Sequence, residues 1–256
     1  MYLGEMRSSS MQCILNPERG KSDPLLPANG ILAVNPSDVA CLTASAQQHK
    51  LQRSFLFNSN LYSSEAFFVA GPAVGAPMAV LCLEKLIALG AQKIIVYGWC
   101  GSLQEKLQVM DVLVPTEALI EEGTSPHYYS SGQQVEHTDN ATYAAPSSGL
   151  RAALCQCLTE QAIPFQQGKL WTTDAPYRET EAKVEAYQEM GIYGVDMEYS
   201  ALCTVATYRG VELAAAMLVS DELWRQPWTP NYSFKQFKQR SSKLLNTLCE
   251  VVKNIE

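Results

Sequence analysis

The chain has 256 residues, 47% of them hydrophobic, and a formal charge of −7 with a pI near 5.1. This length and composition allow a large core and favour a single α/β domain. The 19 basic residues form no run or stripe, which excludes the footprint of a nucleic-acid binder and favours a small ligand as partner.

The beginning of the chain, residues 1–29, is rich in Ser, Pro, Gly and Asn and shows little periodicity. It predicts a loosely packed leader before one domain at residues 30–256. It lacks the pattern of a secretory signal, and no segment is apolar over the about 18 residues of a membrane span. The eight cysteines include no CxxC pair, so we expect no metal site. The protein is therefore predicted to be cytoplasmic, with no membrane partner.

From Gly30 onward, short apolar runs alternate with longer segments of helical period. This alternation predicts a single-domain α/β sandwich with a central mixed, largely parallel twisted sheet flanked by helices. One helix is expected over residues 77–89, with proline in its first turn and Gly90 after its end. The last helix is expected to begin at Ser233, with Gln236 completing a capping box. The predicted strands are residues 31–34, 66–70, 93–97, 111–115, 165–171 and 213–219.

Ligands of such sheets collect at the carboxyl ends of strands, so the residues after each apolar run are candidates for function. Residues 71–77, GPAVGAP, form a turn where backbone can approach a ligand closely and a helix N-terminus offers N–H groups. The same turn is also an ordinary connector. Residues 98–102, GWCGS, follow the predicted strand 93–97 in the same way.

Three carboxylates occupy two other strand ends. Asp196 and Glu198 close a short strand and open a helix that runs to Arg209. A carboxylate there can accept two hydrogen bonds from a vicinal diol, although acids also cap helix N-termini. We assign the cap to Asp196 and the ligand to Glu198. Asp221 follows an apolar strand, where partial desolvation suits a carboxyl group to donate a proton; the alternative is a cap or a surface turn.

Five ordered motifs resemble one family. They are VAGPAVGAP at 69–77, KIIVYGWCGSL at 93–103, TTDAPY at 172–177, GVDMEYSAL at 194–202 and LVSDEL at 218–223. Together they resemble the bacterial nucleoside phosphorylase and nucleosidase superfamily over about residues 30–253. That superfamily includes hexameric purine nucleoside phosphorylase, uridine phosphorylase and methylthioadenosine nucleosidase.

The resemblance implies roles for matching positions. Glu198 would bind the 2′ and 3′ hydroxyls of ribose, helped by Met197, while Val74 packs against the sugar. Asp221 would protonate purine N7, with Ser220 as a second contact. The base pocket would be lined by Thr173, Pro176 and Tyr177. Arg178 beside them either donates paired hydrogen bonds to a base or an anion, or is a solvated residue at a helix start.

The match departs from the phosphorylase pattern where phosphate would bind. Ser37 replaces a glycine, and Cys41 and Val96 stand where arginines are expected. Trp99, after Gly98, replaces a small hydroxyl residue. Related nucleosidases also lack these arginines and activate water with a glutamate near the first strand. Asp38 is the one acid in residues 30–41, and it also suits a helix cap, so Ser37, Asp38, Gly98 and Trp99 define a phosphate or water region.

The implied function is cleavage of the N-glycosidic bond of a nucleoside, giving free base and ribose 1-phosphate by phosphorolysis. Hydrolysis of the same bond is one alternative, and a non-catalytic nucleoside-binding protein is another. Asp221 favours a purine, whereas Thr180 and Ala182 at the positions of a Gln and Arg pair argue against a uridine site. No cofactor is expected beyond phosphate as a possible co-substrate. Relatives imply a homo-oligomer, either a dimer or a hexamer.

Overall fold

The computed structural model describes residues 13–35, 39–129, 137–138, 141–228, 230 and 234–255. Within these ranges strands are interspersed with helices, but the predicted alternation is interrupted, because no α-helix separates the strands within residues 52–71 or within residues 93–144. The strands are β1 (Asn29–Ala33), β2 (Gln52–Leu56), β3 (Ser59–Ser63), β4 (Phe68–Gly71), β5 (Lys93–Ser102), β6 (Val112–Glu121), β7 (His137–Thr138), β8 (Ala141–Ala144), β9 (Gln166–Thr173), β10 (Ile192–Asp196) and β11 (Glu212–Glu222). The helices are α1 (Val39–Gln48), α2 (Ala76–Ala88), α3 (Ser148–Glu160), α4 (Glu181–Glu189), α5 (Tyr199–Arg209) and α6 (Lys235–Asn254).

The strands form one mixed sheet that closes on itself. Its outer part runs β2, β3, β4, β1, β5. Strand β5 then pairs with β10 and β11, and the pairings of β10 with β9, β9 with β6 and β6 with β11 complete a ring of five strands. The mixed sheet is confirmed, while the closure was not predicted. The closure matters because it brings the ends of β10 and β11 to opposite sides of β5.

Helices cover both faces of the sheet, so the predicted α/β sandwich is confirmed. Along β5 the side chains alternate, with Ile94 and Val96 in one apolar cluster and Ile95 and Tyr97 in the other. The first cluster includes residues of α2 and α5, and the second includes residues of α3 and α6. Both clusters are almost completely buried, which fixes β5 as the central strand.

Several element ends differ from the prediction. Gly90 follows α2 with a φ of +119°, so that end is as expected. Residues 98–102 do not follow β5 but belong to it, and β11 likewise continues to Glu222. Strand β5 continues through Gly98 because a residue without a Cβ leaves room for its neighbour: a Cβ on Gly98 would lie 2.5 Å from Met217 Sδ. Helix α6 begins at Lys235, with Phe234 at its N-cap and no side-chain cap bond; Ser233 lies outside the described residues.

The described part of the leader, residues 13–28, contains no helix or strand but contacts the domain. Asp23 forms a salt bridge with Lys85 of α2, at 2.6 Å, and Leu26 is buried. A search of the described helices finds none with the length and apolar character needed to cross a membrane.

Candidate active site

Asp196 lies at the end of β10 and caps α5. Its Oδ2 accepts hydrogen bonds from the backbone N–H groups of Glu198 (3.1 Å) and Tyr199 (2.7 Å). Its Oδ1 accepts one from Thr172 Oγ1 at 2.6 Å. These backbone groups belong to the helix start, where no intrahelical acceptor exists. The side chain of Asp196 thus binds the first N–H groups of α5, whereas the N-cap position itself is Glu198 and not Asp196 as predicted.

Glu198 is buried as well, but it reaches a different helix. Its Oε1 accepts the backbone N–H of Gly75 at 2.6 Å. Gly75 is the N-cap of α2 and has a φ of +82°, a conformation that favours glycine. A helix N-terminus attracts negative charge, so this carboxylate sits in a suitable field. Since Val74 precedes Gly75 and Met197 precedes Glu198, this contact brings together the two chain segments that carry the three predicted ribose-binding residues.

Burial changes the protonation of both acids. Desolvation raises the pKa of Asp196 well above its ordinary value, against the hydrogen bonds from Thr172 and the helix start. Desolvation also raises the pKa of Glu198, and the charge of Asp196 raises it further. No lysine or arginine of the described residues forms a salt bridge with either carboxyl group. Both acids therefore keep their protons to higher pH than exposed carboxyl groups do.

Asp221 is positioned by a β-bulge in β11. Val219 pairs with Cys100 of β5 and Asp221 pairs with Gly101, which leaves Ser220 as an extra residue. In a regular strand, neighbouring side chains point to opposite faces. Here Ser220 Oγ lies 2.6 Å from Asp221 Oδ1 and 3.2 Å from the carbonyl oxygen of Cys100. The bulge thus turns the two side chains toward each other.

The other oxygen of Asp221 is held from the following loop. Trp228 Nε1 donates a hydrogen bond to Asp221 Oδ2 at 2.8 Å. Asp221 is half-buried, and the Trp228 side chain is 50% exposed. The acid at the end of β11 therefore lies near solvent, in contrast to the buried Glu198.

Gly101 joins the two halves of the site. It pairs with Val195 of β10 on one side and with Asp221 of β11 on the other. Two strand spacings separate these partners, so their Cα atoms lie about 10 Å apart. The buried thiol of Cys100 responds to both sides: its pKa is raised by burial first and then by the charges of Asp196 and Asp221. The acids of β10 and β11 thus share one end of the ring.

The predicted base-pocket segment divides into a buried and an exposed part. Thr173, at the end of β9, is 4% exposed, and its Oγ1 accepts the backbone N–H of Ala175 at 3.3 Å. Pro176, Tyr177 and Arg178 form a short 3-10 helix whose side chains are exposed, Tyr177 completely. These three therefore lie at the surface and not in an enclosed pocket.

The phosphate or water region is described in part. Ser37 and Asp38 lie outside the described residues. Gly98 packs against Met217, and Trp99 meets Phe237 edge to face, with ring centroids 4.9 Å apart. Val96 is completely buried. The described part of this region is consequently apolar packing.

One acid with a strongly raised pKa was not singled out in the sequence. Glu179 is half-buried, and its pKa is raised to about 7 by burial first and then by the charges of Asp221 and Glu121. It precedes Thr180, the N-cap of α4, so in the sequence it resembles an ordinary acid at a helix start. Only the fold brings it near Asp221.

Comparison with known proteins identifies the family. A model of the phosphorylase superfamily matches residues 30–255. The chain belongs to the phosphorylase superfamily. The resemblance that the five motifs indicated is thereby confirmed.

Relatives of this superfamily member include enzymes with different reactions. Guanosine phosphorylase of Halorubrum lacusprofundi is 24% identical over 198 residues, 75% of this chain and 78% of that protein. The structure of purine nucleoside phosphorylase of Toxoplasma gondii in complex with immucillin-H matches this fold with a TM-score of 0.73 at 22% identity. The match covers 90% of this chain and 92% of the Toxoplasma chain. The 5′-methylthioadenosine/S-adenosylhomocysteine nucleosidase of Helicobacter pylori has a TM-score of 0.71 at 20% identity, covering 90% and 99%. The two structures share the fold, and their names span phosphorylase and nucleosidase.

Proposed function

We propose that the protein cleaves the N-glycosidic bond of a purine nucleoside, with Glu198 holding the ribose and Asp221 acting as general acid. The supporting observation is the pairing of Gly101 with both Val195 and Asp221, because it places Asp221 and the strand end that leads to Glu198 on either side of β5. The separation of about 10 Å between these strand positions suits one ligand with a sugar at one end and a base at the other. The name of the guanosine phosphorylase relative supports a purine.

Glu198 is suited to the sugar. Its anion can accept hydrogen bonds from the 2′ and 3′ hydroxyls, and charge-assisted bonds of this type are among the stronger ones. The sugar gains positive charge as the glycosidic bond breaks, so a fixed negative charge beside it is worth more in the transition state than in the ground state. Because burial raises the pKa of Glu198, binding of the diol also costs the loss of a proton.

Asp221 is suited to the base. When the bond between C1′ and N9 breaks, its electron pair goes to the base, and a proton moved from Asp221 to N7 neutralises that charge. A positioned general acid contributes about 10²–10⁴-fold to the rate. An oxygen of phosphate or water then forms the new bond to C1′, and a proton from the attacking water or from solvent restores the acid form of Asp221.

The attacking group separates two reactions. Phosphorolysis is the reaction implied by the family resemblance. Hydrolysis is the second candidate. It is favoured by the apolar surroundings of Val96 and Trp99. It is also favoured by the raised pKa of Glu198, because no cation of the described residues offsets that rise. A phosphate dianion there would lack the guanidinium contacts that normally compensate its charge.

The decisive experiment is an assay of base release in phosphate-free buffer and with added phosphate, using guanosine, inosine, adenosine and methylthioadenosine. Chromatography identifies the free base and distinguishes ribose from ribose 1-phosphate. Release that needs phosphate establishes phosphorolysis, and release without it establishes hydrolysis. A rise in melting temperature without any release would identify a nucleoside-binding protein and contradict the catalytic proposal.

A further inference from the structure

The indole of Trp228 is hydrogen-bonded to Asp221, the acid on which the proposed chemistry depends. Asp221 Oδ1 already accepts the hydroxyl of Ser220, and Oδ2 accepts the N–H of Trp228 at 2.8 Å. Both carboxylate oxygens are thus engaged by donors of the protein itself. The chemistry proposed for Asp221 requires one of them to face a base.

The two bonds differ in how firmly they are held. Ser220 is the bulge residue of β11 and also contacts the carbonyl oxygen of Cys100, so it is fixed by the sheet. Trp228 lies in the segment after β11, where residues 223–228 form neither helix nor strand. The half-exposed ring can turn away without uncovering the core. Oδ2 is therefore the oxygen that can be released.

The indole and a base compete for the same oxygen. The indole Nε1 is only a donor, and a protonated Oδ2 is a weaker acceptor than a carboxylate oxygen, so the bond from Trp228 weakens when Oδ2 carries a proton toward a base. The indole, whose Nε1 lies 2.8 Å from Oδ2, also takes up space beside the oxygen that the base must approach. Occupation by the indole therefore opposes occupation by the base.

The segment of residues 223–228, which carries Trp228, is anchored at its first residue. The backbone N–H of Leu223 donates to the carbonyl oxygen of Ser102 at 2.8 Å, and its side chain packs beside the cluster that contains Val195. The segment is therefore tied down five residues before Trp228. Movement of the indole does not require movement of β11 or of Asp221.

We propose that Trp228 competes with the purine base for Asp221 and so lowers the affinity of the empty site for bases. In the empty site the indole holds the carboxylate in place. When a base binds, Oδ2 exchanges the indole for the base. This inference rests on the proposed function, because it takes Asp221 as the group that meets the base.

Trp228→Phe tests the competition, since it keeps an aromatic ring and removes the N–H. The matched control is Trp224→Phe, because the Trp224 indole N–H is buried without a hydrogen-bond partner in the described structure. The probes are free hypoxanthine and adenine, with affinities measured by calorimetry. A hydrogen bond of this kind contributes about 0.5–1.5 kcal/mol, so Trp228→Phe should lower the Kd by about 2–10-fold. Trp224→Phe should leave the Kd unchanged.

Two further readouts separate competition from a structural role. The fluorescence of Trp228, obtained as the difference between the wild type and Trp228→Phe, should change when hypoxanthine binds, because the ring loses its carboxylate partner. In an Asp221→Asn background, Trp228→Phe should no longer tighten binding of the base. A weaker Kd, or a lower kcat with an unchanged Kd, would show instead that Trp228 serves to orient the acid, and it would overturn the proposal.

The failure of this inference is distinguishable from that of the proposed function. If nucleosides are cleaved but Trp228→Phe binds bases as the wild type does, the competition is wrong and the function stands. If no base binds and no nucleoside is cleaved, the proposed function is wrong and the inference falls with it.

Discussion

The proposed sugar side and the proposed base side of the site are built in different ways. On the sugar side, Asp196 and Glu198 are buried and bound by backbone N–H groups at the starts of α5 and α2. On the base side, Asp221 is half-buried and bound by the side chains of Ser220 and Trp228. Backbone donors of helices cannot rotate away, whereas a surface indole can. The sugar side is thus fixed before any ligand arrives, and the base side can adjust.

The largest expected effect comes from the base side. Asp221→Asn keeps the shape but removes the proton donor, so kcat should fall by about 10²–10⁴-fold. The exposed Glu189→Gln on α4 serves as the control and should retain full activity. Steady-state kinetics with inosine measure both. An Asp221→Asn variant with normal kcat would remove the acid from the mechanism.

The sugar side should respond to substrate structure. Glu198→Gln loses the charge that accepts the diol, and kcat/KM should fall by about 10–100-fold for a ribonucleoside, since hydrogen bonds to charged groups contribute about 1.5–3 kcal/mol. Replacing guanosine by 2′-deoxyguanosine should lower kcat/KM more for the wild type than for the variant. Equal losses in both proteins would mean that Glu198 does not contact the 2′ hydroxyl.

Stability should also distinguish the two sides. Thr172→Val removes the buried hydroxyl that binds Asp196 Oδ1 and the N–H of Ser200, so the free energy of unfolding should fall by about 1–3 kcal/mol. Ser220→Ala, on the base side, should cost less because its partner Asp221 is half-buried and can accept a hydrogen bond from water instead. Urea denaturation measures both changes, and the reverse order would refute the contrast between a fixed and an adjustable side.

The last prediction concerns the dependence of stability on pH. The pKa of Glu198 is raised above the ordinary value of 4.5, so the folded state binds more protons than the unfolded state above that pH. Its contribution is complete below about pH 4.5 and is lost as the pH rises through the raised value, by at most about 1.4 kcal/mol per pH unit. Melting temperatures from pH 5 to 8 should fall less steeply for Glu198→Gln, which can still accept the N–H of Gly75. Parallel curves would contradict the raised pKa.

Much of the fold follows from local patterns. The apolar runs and the capped helix at 77–89 appear within a few residues of their predicted places because periodicity and turn residues act locally. Strands β2 and β3 were missed because their sequences, QRSFL and SNLYS, alternate too little to stand out. Strand β5 was predicted too short because Gly98 and Gly101 suggest a turn, whereas they provide room for Met217 and Leu223.

The site was predictable where chemistry and motif coincide in sequence. That Asp196 binds the start of α5 followed from its place before a helix. The Gly75 contact of Glu198 joins segments 123 residues apart, and Glu179 approaches Asp221 only through the tertiary fold. The exposure of Tyr177 was not predictable either, since TTDAPY as a motif carries no information about what covers it.

The ring of five strands also limits how copies of this chain can associate. Each of β5, β6, β9, β10 and β11 has strand partners on both sides, so these strands offer no unpaired backbone edge. Strand β2, by contrast, ends the order of the described sheet and pairs only with β3. A neighbouring molecule could extend the sheet there without touching the acids. Addition of a strand at β2 would therefore leave the chemistry undisturbed.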